Sequence, residues 1–504
     1  MINKLIRIMA TVIVVLAMTN PAWSQDLEAF EKNVTEFTLD NGLTFIVVEN
    51  HESPVVSLLT YANVGSVNEV KGITGLAHVF EHMAFKGTTT IGARDLNAEY
   101  AAMEKVDKLY SELRRERHKR HDADPDRPVK LEEDFDSAKK EARNLAVSNE
   151  MDEAIDRAGG TGLNATTGVD ATRYFYSLPS NKIELFFALE SSRFLDPVLR
   201  EFYIERDVVM EERRMRTESR PLGRLIEEML STAYKAHPYG EPTVGHMSDL
   251  ESMTRAEAME FFRRYYGPGN LTILISGDAD PISVKKLAHK YFDRLPPSPP
   301  MEPVETIEPL QFAERRIVMQ DKSQPVFLMG YHKVDIKHDD NLVFQVMADI
   351  LGSGRTSRLF KTLVKEQKIA INASSFTDFP GSKYPNMIVF FAFPSKGQTA
   401  ADCEKIINDE IERIRNQKVS EEELARAKVR ARVNLIRGLE SNMGLALQMA
   451  HFHVLTGNWR NLFHSIDRID QVTAEDINRI ANQYLVPKNR TVASIVTIAK
   501  SANE

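Results

Sequence analysis

Two histidines and a glutamate fall within five residues at His78-Val79-Phe80-Glu81-His82. On a helix, positions four apart share a face, so His78 and His82 would aim both imidazoles at one centre. Neutral imidazoles are common zinc ligands, and a zinc site that keeps one position open draws the pKa of its water towards neutrality. Glu81 puts a carboxylate beside the same centre, where it can take that water's proton. HxxEH is the inverted form of the commoner HExxH zinc pattern. The plain alternative is two surface histidines on a helix, which explains neither the carboxylate nor what surrounds the motif.

The elements that must hold these residues read as follows. Phe37 to Val48 reads as strand, with a hairpin turn at Asp40-Asn41-Gly42, and Val55 to Tyr61 is a second apolar, β-branched run. Thr74 to Phe85 has apolar residues at helical spacing and contains the motif. From Ala101 to Glu150 half of the residues are Asp, Glu, Lys or Arg, interrupted by two prolines between Asp122 and Pro128. This predicts an inserted, solvent-facing helical hairpin; His118 and His121 fall in it and read as solvated, as does its basic stretch Arg114 to His121. Strand signals return at Gly162 to Leu178, then helices at Lys182 to Phe194 and Phe202 to Thr217. A stiff proline-rich linker runs from Arg294 to Pro300.

The two sides of that linker resemble each other. Thr254, Tyr265, Pro268, Asn270 and Thr272 fall on Thr473, Tyr484, Pro487, Asn489 and Thr491, at an offset of 219 residues. Ser53-Pro54-Val55 falls on Gln324-Pro325-Val326, at an offset of 271. The difference matches the length of the charged hairpin, so the chain reads as an internal duplication with an insert in its first copy. The fold class expected is α+β: two homologous domains, each of mixed or antiparallel sheet packed with helices. The boundaries expected are a leader at 1–24, a first domain at 25–293 with its insert at about 98–158, a linker at 294–306 and a second domain at 307–504.

Lys4 and Arg7, the apolar run Ile8 to Met18 and small residues at Ala22 and Ser24 have the layout of a secretory signal peptide, cut before Gln25. The protein is therefore expected to be exported, periplasmic or secreted, with no membrane span once the leader is gone. The net charge of −8 argues against a nucleic-acid partner. Cys403 is the one cysteine, so no disulfide forms within the chain, and its helical setting makes it a buried small apolar residue.

The string Gly75-Leu76-Ala77-His78-Val79-Phe80-Glu81-His82-Met83-Ala84-Phe85-Lys86-Gly87-Thr88 resembles the active-site helix of the pitrilysin/insulinase family, which includes the mitochondrial processing peptidase. The resemblance extends from about Asn33 to Thr497 and implies two similar domains facing each other across a chamber. The family's later Glu-Arg-x5-Glu pattern matches Glu205-Arg206 through Glu212. The match implies one Zn2+ per chain held by His78, His82 and Glu212, with Glu81 as general base on the zinc-bound water. Glu205 would be the carboxylate that supports a ligand from behind. Glu211 points away by about 100° and is the weaker candidate. The 130-residue separation of His82 from Glu212 exceeds the family's, and the insert accounts for the excess.

Gly162 to Thr167 followed by Thr172 to Tyr176 resembles the family's edge strand, so Asn164 and Ala165 are implied to bind substrate through the backbone. His237 and His246 read as structural loop residues. In the second copy Asp349, Gly352 and Ser353 occupy the places of His78, Glu81 and His82, so no second metal site is expected. After the glycine-rich segment Leu351 to Phe360, the family's substrate-holding Arg and Tyr are replaced by Val364 and Ile371. These readings converge on a zinc endopeptidase acting on peptides or unfolded segments, helped by a related inactive subunit that supplies the Arg and Tyr. The alternative is a non-catalytic structural or binding subunit of a peptidase-like complex.

Overall fold

A computed structural model of the chain describes residues 22–119, 124 and 126–498. Most of the leader reading, residues 1–21, lies outside them, as does His121; the expected cut falls in a helix, Ala22–Glu31. Among the described residues no helix is long and apolar enough to cross a membrane.

Eleven strands form two sheets among the described residues. The first comprises β1 (Val34–Thr38), β2 (Thr44–Glu49), β3 (Val55–Ala62), β4 (Thr161–Thr167), β5 (Thr172–Pro179) and β6 (Leu271–Gly277), in the order β1-β2-β6-β3-β5-β4. The second comprises β7 (Arg315–Asp321), β8 (Val326–Lys333), β9 (Ala370–Phe379), β10 (Asn386–Pro394) and β11 (Arg490–Thr497), in the order β7-β11-β8-β10-β9. Without β1, the orders superimpose strand for strand. In each sheet one pair is parallel, β2 with β6 and β7 with β11, and the remaining neighbours are antiparallel. Val55–Ala62 falls on Val326–Lys333 at the offset of 271, and Leu271 falls on Arg490 at the offset of 219. The duplication is thus carried in topology, and the α+β class follows.

Alternation along the strands divides each sheet into two buried faces. Phe45, Val47, Val56, Leu58, Ile273 and Ile275 pack against helices of their own half. Ile46, Val48, Leu59, Tyr61 and Leu274, on the other face, meet Ala446, Met449 and Ala450 of helix Asn442–Thr456, which belongs to the second half. Reciprocally, Val326, Leu328, Val389 and Ile495 of the second sheet meet Leu225, Met229 and Ala233 of helix Pro221–Ala233, from the first half. The halves exchange one helix each. With both faces covered, the inner strands are almost continuously apolar, as β6 is (LTILISG).

The charged segment forms the expected hairpin, helices Leu96–His118 and Arg127–Leu145, followed by a short helix Glu150–Arg157. It is not wholly solvent-facing, however. Val106, Tyr110, Leu113, Leu131, Phe135 and Ala138 form a stripe that joins the first core. Tyr110, Phe135 and Tyr203 pack tilted or edge-on, with ring centroids 4.6 to 5.3 Å apart. One apolar residue per turn suffices to dock a helix whose other faces are charged. His118 stays exposed, with Nδ1 2.6 Å from the Arg114 carbonyl. Cys403 is buried and unpaired, and burial pushes its thiol up to about 12.

Candidate metal centre

The motif helix, Leu76–Met83, starts abruptly. Its N-cap is Gly75 at φ +90°, where a Cβ would meet the Val244 carbonyl at 2.7 Å, and it offers no side chain to cap the helix. Glu69 does that work from six residues upstream: its two oxygens accept from the backbone N–H of Gly75 and of Ala77, each at 2.7 Å. A carboxylate here also meets the positive end of the helix dipole. Burial nonetheless pushes Glu69 up to about 8, against the pull of those two N–H groups. Asp249 secures the approach, accepting from Gly72 N, Thr74 N and the Thr74 hydroxyl.

His78, Phe80 and Met83 lie on the buried side, and His82 is half-buried. The two imidazoles stand 5.1 Å apart between centroids, nearly perpendicular. Nε2 of His78 and Nε2 of His82 each lie 3.6 Å from Oε2 of Glu212, which arrives on helix Phe202–Arg213. Ligand atoms of the three residues lie within 4.8 Å of one another, and among the described residues they form the one such cluster of three or more. Bonds of about 2.1 Å at tetrahedral angles separate ligand atoms by roughly 3.4 Å. The donor set, two imidazole nitrogens and one carboxylate oxygen, therefore fits a zinc ion with small adjustments.

The surroundings set the protonation states. Burial lowers His78 to about 4, with His82 and Arg216 adding to the effect, so its imidazole is neutral near pH 7. Burial also works to lower His82, but Glu205, Glu81 and Glu212 outweigh it and raise the ring. Burial raises Glu81, while the Thr167 hydroxyl on β4 and His82 pull it back. A base lifted towards the working pH is suited to taking and returning a proton.

Glu205 lies behind His82, with Oε2 3.4 Å from Nδ1, and its other oxygen lies 2.6 Å from Lys86 Nζ. A carboxylate in that place can fix the ring and leave Nε2 free. Glu211 faces away, exposed, and pairs with Arg214. Arg216 holds the second oxygen of Glu212 at 2.5 Å, from a π-helical turn, Arg214–Glu218.

β4, beyond β5, is one of the two edge strands of the first sheet, β1 being the other. Asn164 is exposed on β4, opposite Phe175, with its side-chain oxygen on the N–H of Ala165; Ala165 is buried opposite Tyr174. His237 is buried and accepts from Tyr239 N, and His246 pairs with Glu241 at 2.9 Å; both stand outside the cluster. In the second half Asp349, opposite His78 in the duplication, is buried in an ion pair with Arg430 at 2.8 Å. Val364 packs against the second core, and Ile371 is exposed on β9.

Glu69, Lys86, Thr167 and Arg216 were not expected from the sequence. Glu69 and Thr167 reach the site across folds of the chain, whereas Arg216 stands one helical turn beyond Glu212 and Lys86 four residues beyond His82. Lys86 and Thr167 stood within strings that resemble the family's, but with no role of their own.

Two family models match the chain: "Insulinase (Peptidase family M16)" over residues 44–113 and 140–246, and "Peptidase M16 inactive domain" over residues 252–430. The segment 114–139, the distal part of the helical hairpin, is left unmatched by the first. A protein named zinc protease PqqE from Helicobacter pylori is 26% identical over 461 residues, 89% of either chain. The crystal structure of a protease from Helicobacter pylori superimposes with a TM-score of 0.76 at 26% identity, covering 92% of this chain and 99% of that one. The periplasmic protease PqqL from Escherichia coli shares the fold, with a TM-score of 0.68 at 17% identity; the match covers 93% of this chain and 48% of that one.

Proposed function

Because the chain belongs to the insulinase (M16) family of peptidases, we propose that it is a zinc-dependent endopeptidase with one metal site, in its first half. The observation that carries this reading is the convergence of His78 Nε2, His82 Nε2 and Glu212 Oε2, with Glu81 between the two histidines. Relatives named zinc proteases support the metal's identity. Zinc held there supplies an acidified water and polarises the scissile carbonyl. Glu81 accepts the proton of the attacking water and returns it to the departing amine. Glu205 keeps His82 in the tautomer that offers Nε2. Asn164 and Ala165 lie on an edge strand whose backbone groups are open to pairing, so an extended peptide can join the sheet there. Thr167 ties that strand to Glu81.

Substrates on this reading are peptides or unfolded segments. Export to the periplasm is supported by the leader-like start and by a periplasmic protease of the same fold. The apolar Val364 and Ile371 support a need for a related partner subunit that supplies the missing Arg and Tyr. A structural role remains the competing reading, favoured by those same two residues.

The test is cleavage of a quenched peptide library by the chain purified from its native source, with and without a chelator. Glu81→Gln should lower kcat by a factor of about 100 or more while zinc content stays at one per chain. A fully active Glu81→Gln variant, or cleavage indifferent to chelation, would overturn the assignment. Strong activity from the isolated chain would remove the need for a partner.

A further inference from the structure

Lys86 lies in the loop just beyond the motif helix and contributes no ligand. Its ammonium sits between two carboxylates, 2.6 Å from Glu205 Oε1 and 3.1 Å from Glu201 Oε2. Glu205 faces Nδ1 of His82, and Glu201 faces Nε of Arg143, on the second helix of the charged hairpin, at 3.2 Å. The charges alternate without a break from the hairpin to the metal ligand: Arg143, Glu201, Lys86, Glu205, His82.

Two features show that this order is built rather than incidental. Glu201 is the N-cap of helix Phe202–Arg213 and sits at φ +58°. A carboxylate at that position ordinarily accepts from the first turn's N–H groups, but Glu201 caps nothing and instead points at Lys86 and Arg143. A left-handed backbone at a non-glycine residue is strained and persists only when its surroundings hold it. The backbone of Lys86 is fixed as well. Its carbonyl accepts from Arg200 at 2.6 Å, and Arg200 also binds the Thr88 and Ile91 carbonyls. Arg200 is itself held at 2.9 Å by Glu99, from the hairpin's first helix. Both hairpin helices therefore reach the segment that carries Lys86.

We propose that Lys86 is a positioning residue of the zinc site: with Glu201 and Arg143 it holds the Glu205 carboxylate against Nδ1 of His82, so that His82 presents Nε2 to the ion. The inference rests on the zinc reading above and gives the charged hairpin a part in it. Without the ammonium, Glu205 turns to solvent or to Arg143, and His82 loses the group that fixes its ring. Supporting groups of this kind change metal affinity by about 10- to 100-fold when lost.

The experiment measures zinc affinity of the full chain by competition with a chromophoric chelator, with the absorption spectrum of the Co2+-substituted protein as a report on ligand geometry. Lys86→Met should weaken zinc binding about tenfold or more and alter the Co2+ spectrum. Lys86→Arg, which keeps the charge, should stay within about threefold of the native chain. In a Glu205→Gln background Lys86→Met should add less than about twofold, because the lysine acts through that carboxylate. Arg143→Met, at an exposed position that folding tolerates, should weaken binding by about two- to fivefold.

Native affinity in Lys86→Met, or Lys86 and Glu205 losses that simply multiply, would overturn the proposal. If Lys86→Met does not fold, unchanged affinity in Arg143→Met overturns it. A native chain that takes up no zinc sinks the peptidase reading and this inference together, whereas a native chain that binds zinc no more tightly than Lys86→Met sinks this inference alone.

Discussion

Glu69 holds a carboxylate inside the protein for the sake of two backbone N–H groups, and this makes it sensitive to pH. Its pKa rises from 4.5 to about 8 on folding because burial penalises the charge. Between those values the native state holds a proton that the unfolded chain has released. Its contribution to stability is therefore complete below about pH 4.5 and is lost as pH rises through about 8. The urea midpoint should fall between pH 5 and pH 8.5, and Glu69→Gln should flatten that slope. An equally steep slope in the variant would show that other groups carry it. At this scale the sequence was legible wherever chemistry is local. His78, Glu81 and His82 carry their geometry in their spacing, since one helical turn brings them together. Glu212 lies 130 residues beyond His82 and was found only through resemblance; the structure brings its carboxylate to both rings. Glu69 was invisible because a cap usually stands next to its helix, and this one reaches forward across a loop.

At the scale of elements, the hairpin departs most from its sequence. Its charge made it look like a freely solvated addition, and a stripe of one apolar residue per turn was hidden among the charges. Tyr110, Phe135 and Tyr203 dock it on the helix that brings Glu212, while the buried pair of Glu99 with Arg200 clasps the loop after the motif. Phe135→Ala should cost about 3 kcal/mol or more in chemical denaturation, as truncated core aromatics do. Glu99→Ala leaves the Arg200 guanidinium buried without its counter-charge and should cost about 3–5 kcal/mol. A change below about 1 kcal/mol in either variant would mean that the hairpin is only loosely attached. The strands were easier to read than the hairpin, because β-branched and apolar runs bounded by turn residues survive in any context. Their order was not, since pairing is decided by contacts far apart in the chain.

Across the whole molecule, the exchanged helices decide how the chain can come apart. Helix Asn442–Thr456 covers Ile46, Leu59 and Tyr61 of the first sheet, and helix Pro221–Ala233 covers Val326, Leu328 and Ile495 of the second. Either half alone exposes an apolar sheet face and an apolar helix stripe. Residues 25–303 and 304–504 expressed separately should aggregate or stay unfolded, and co-expressed they should purify as one particle by size exclusion. A monomeric, cooperatively folded first half would contradict this. The duplication was legible in two offsets, but neither offset hinted that each copy lends the other a helix.

That exchange bears on how such a chain can change over generations. Among its described residues the second copy adds no cluster of possible metal ligands, yet it cannot drift freely or be discarded, because the first copy depends on it for a wall. Selection should therefore fall on Ala446, Met449 and Ala450, where larger or polar replacements would prise the sheet open, and on Gly457, whose φ of +82° closes the same helix, and rest lightly on exposed side chains such as Glu422. A saturation library scored for soluble expression would reveal such a map, with a silent domain preserved for the shape of its surface.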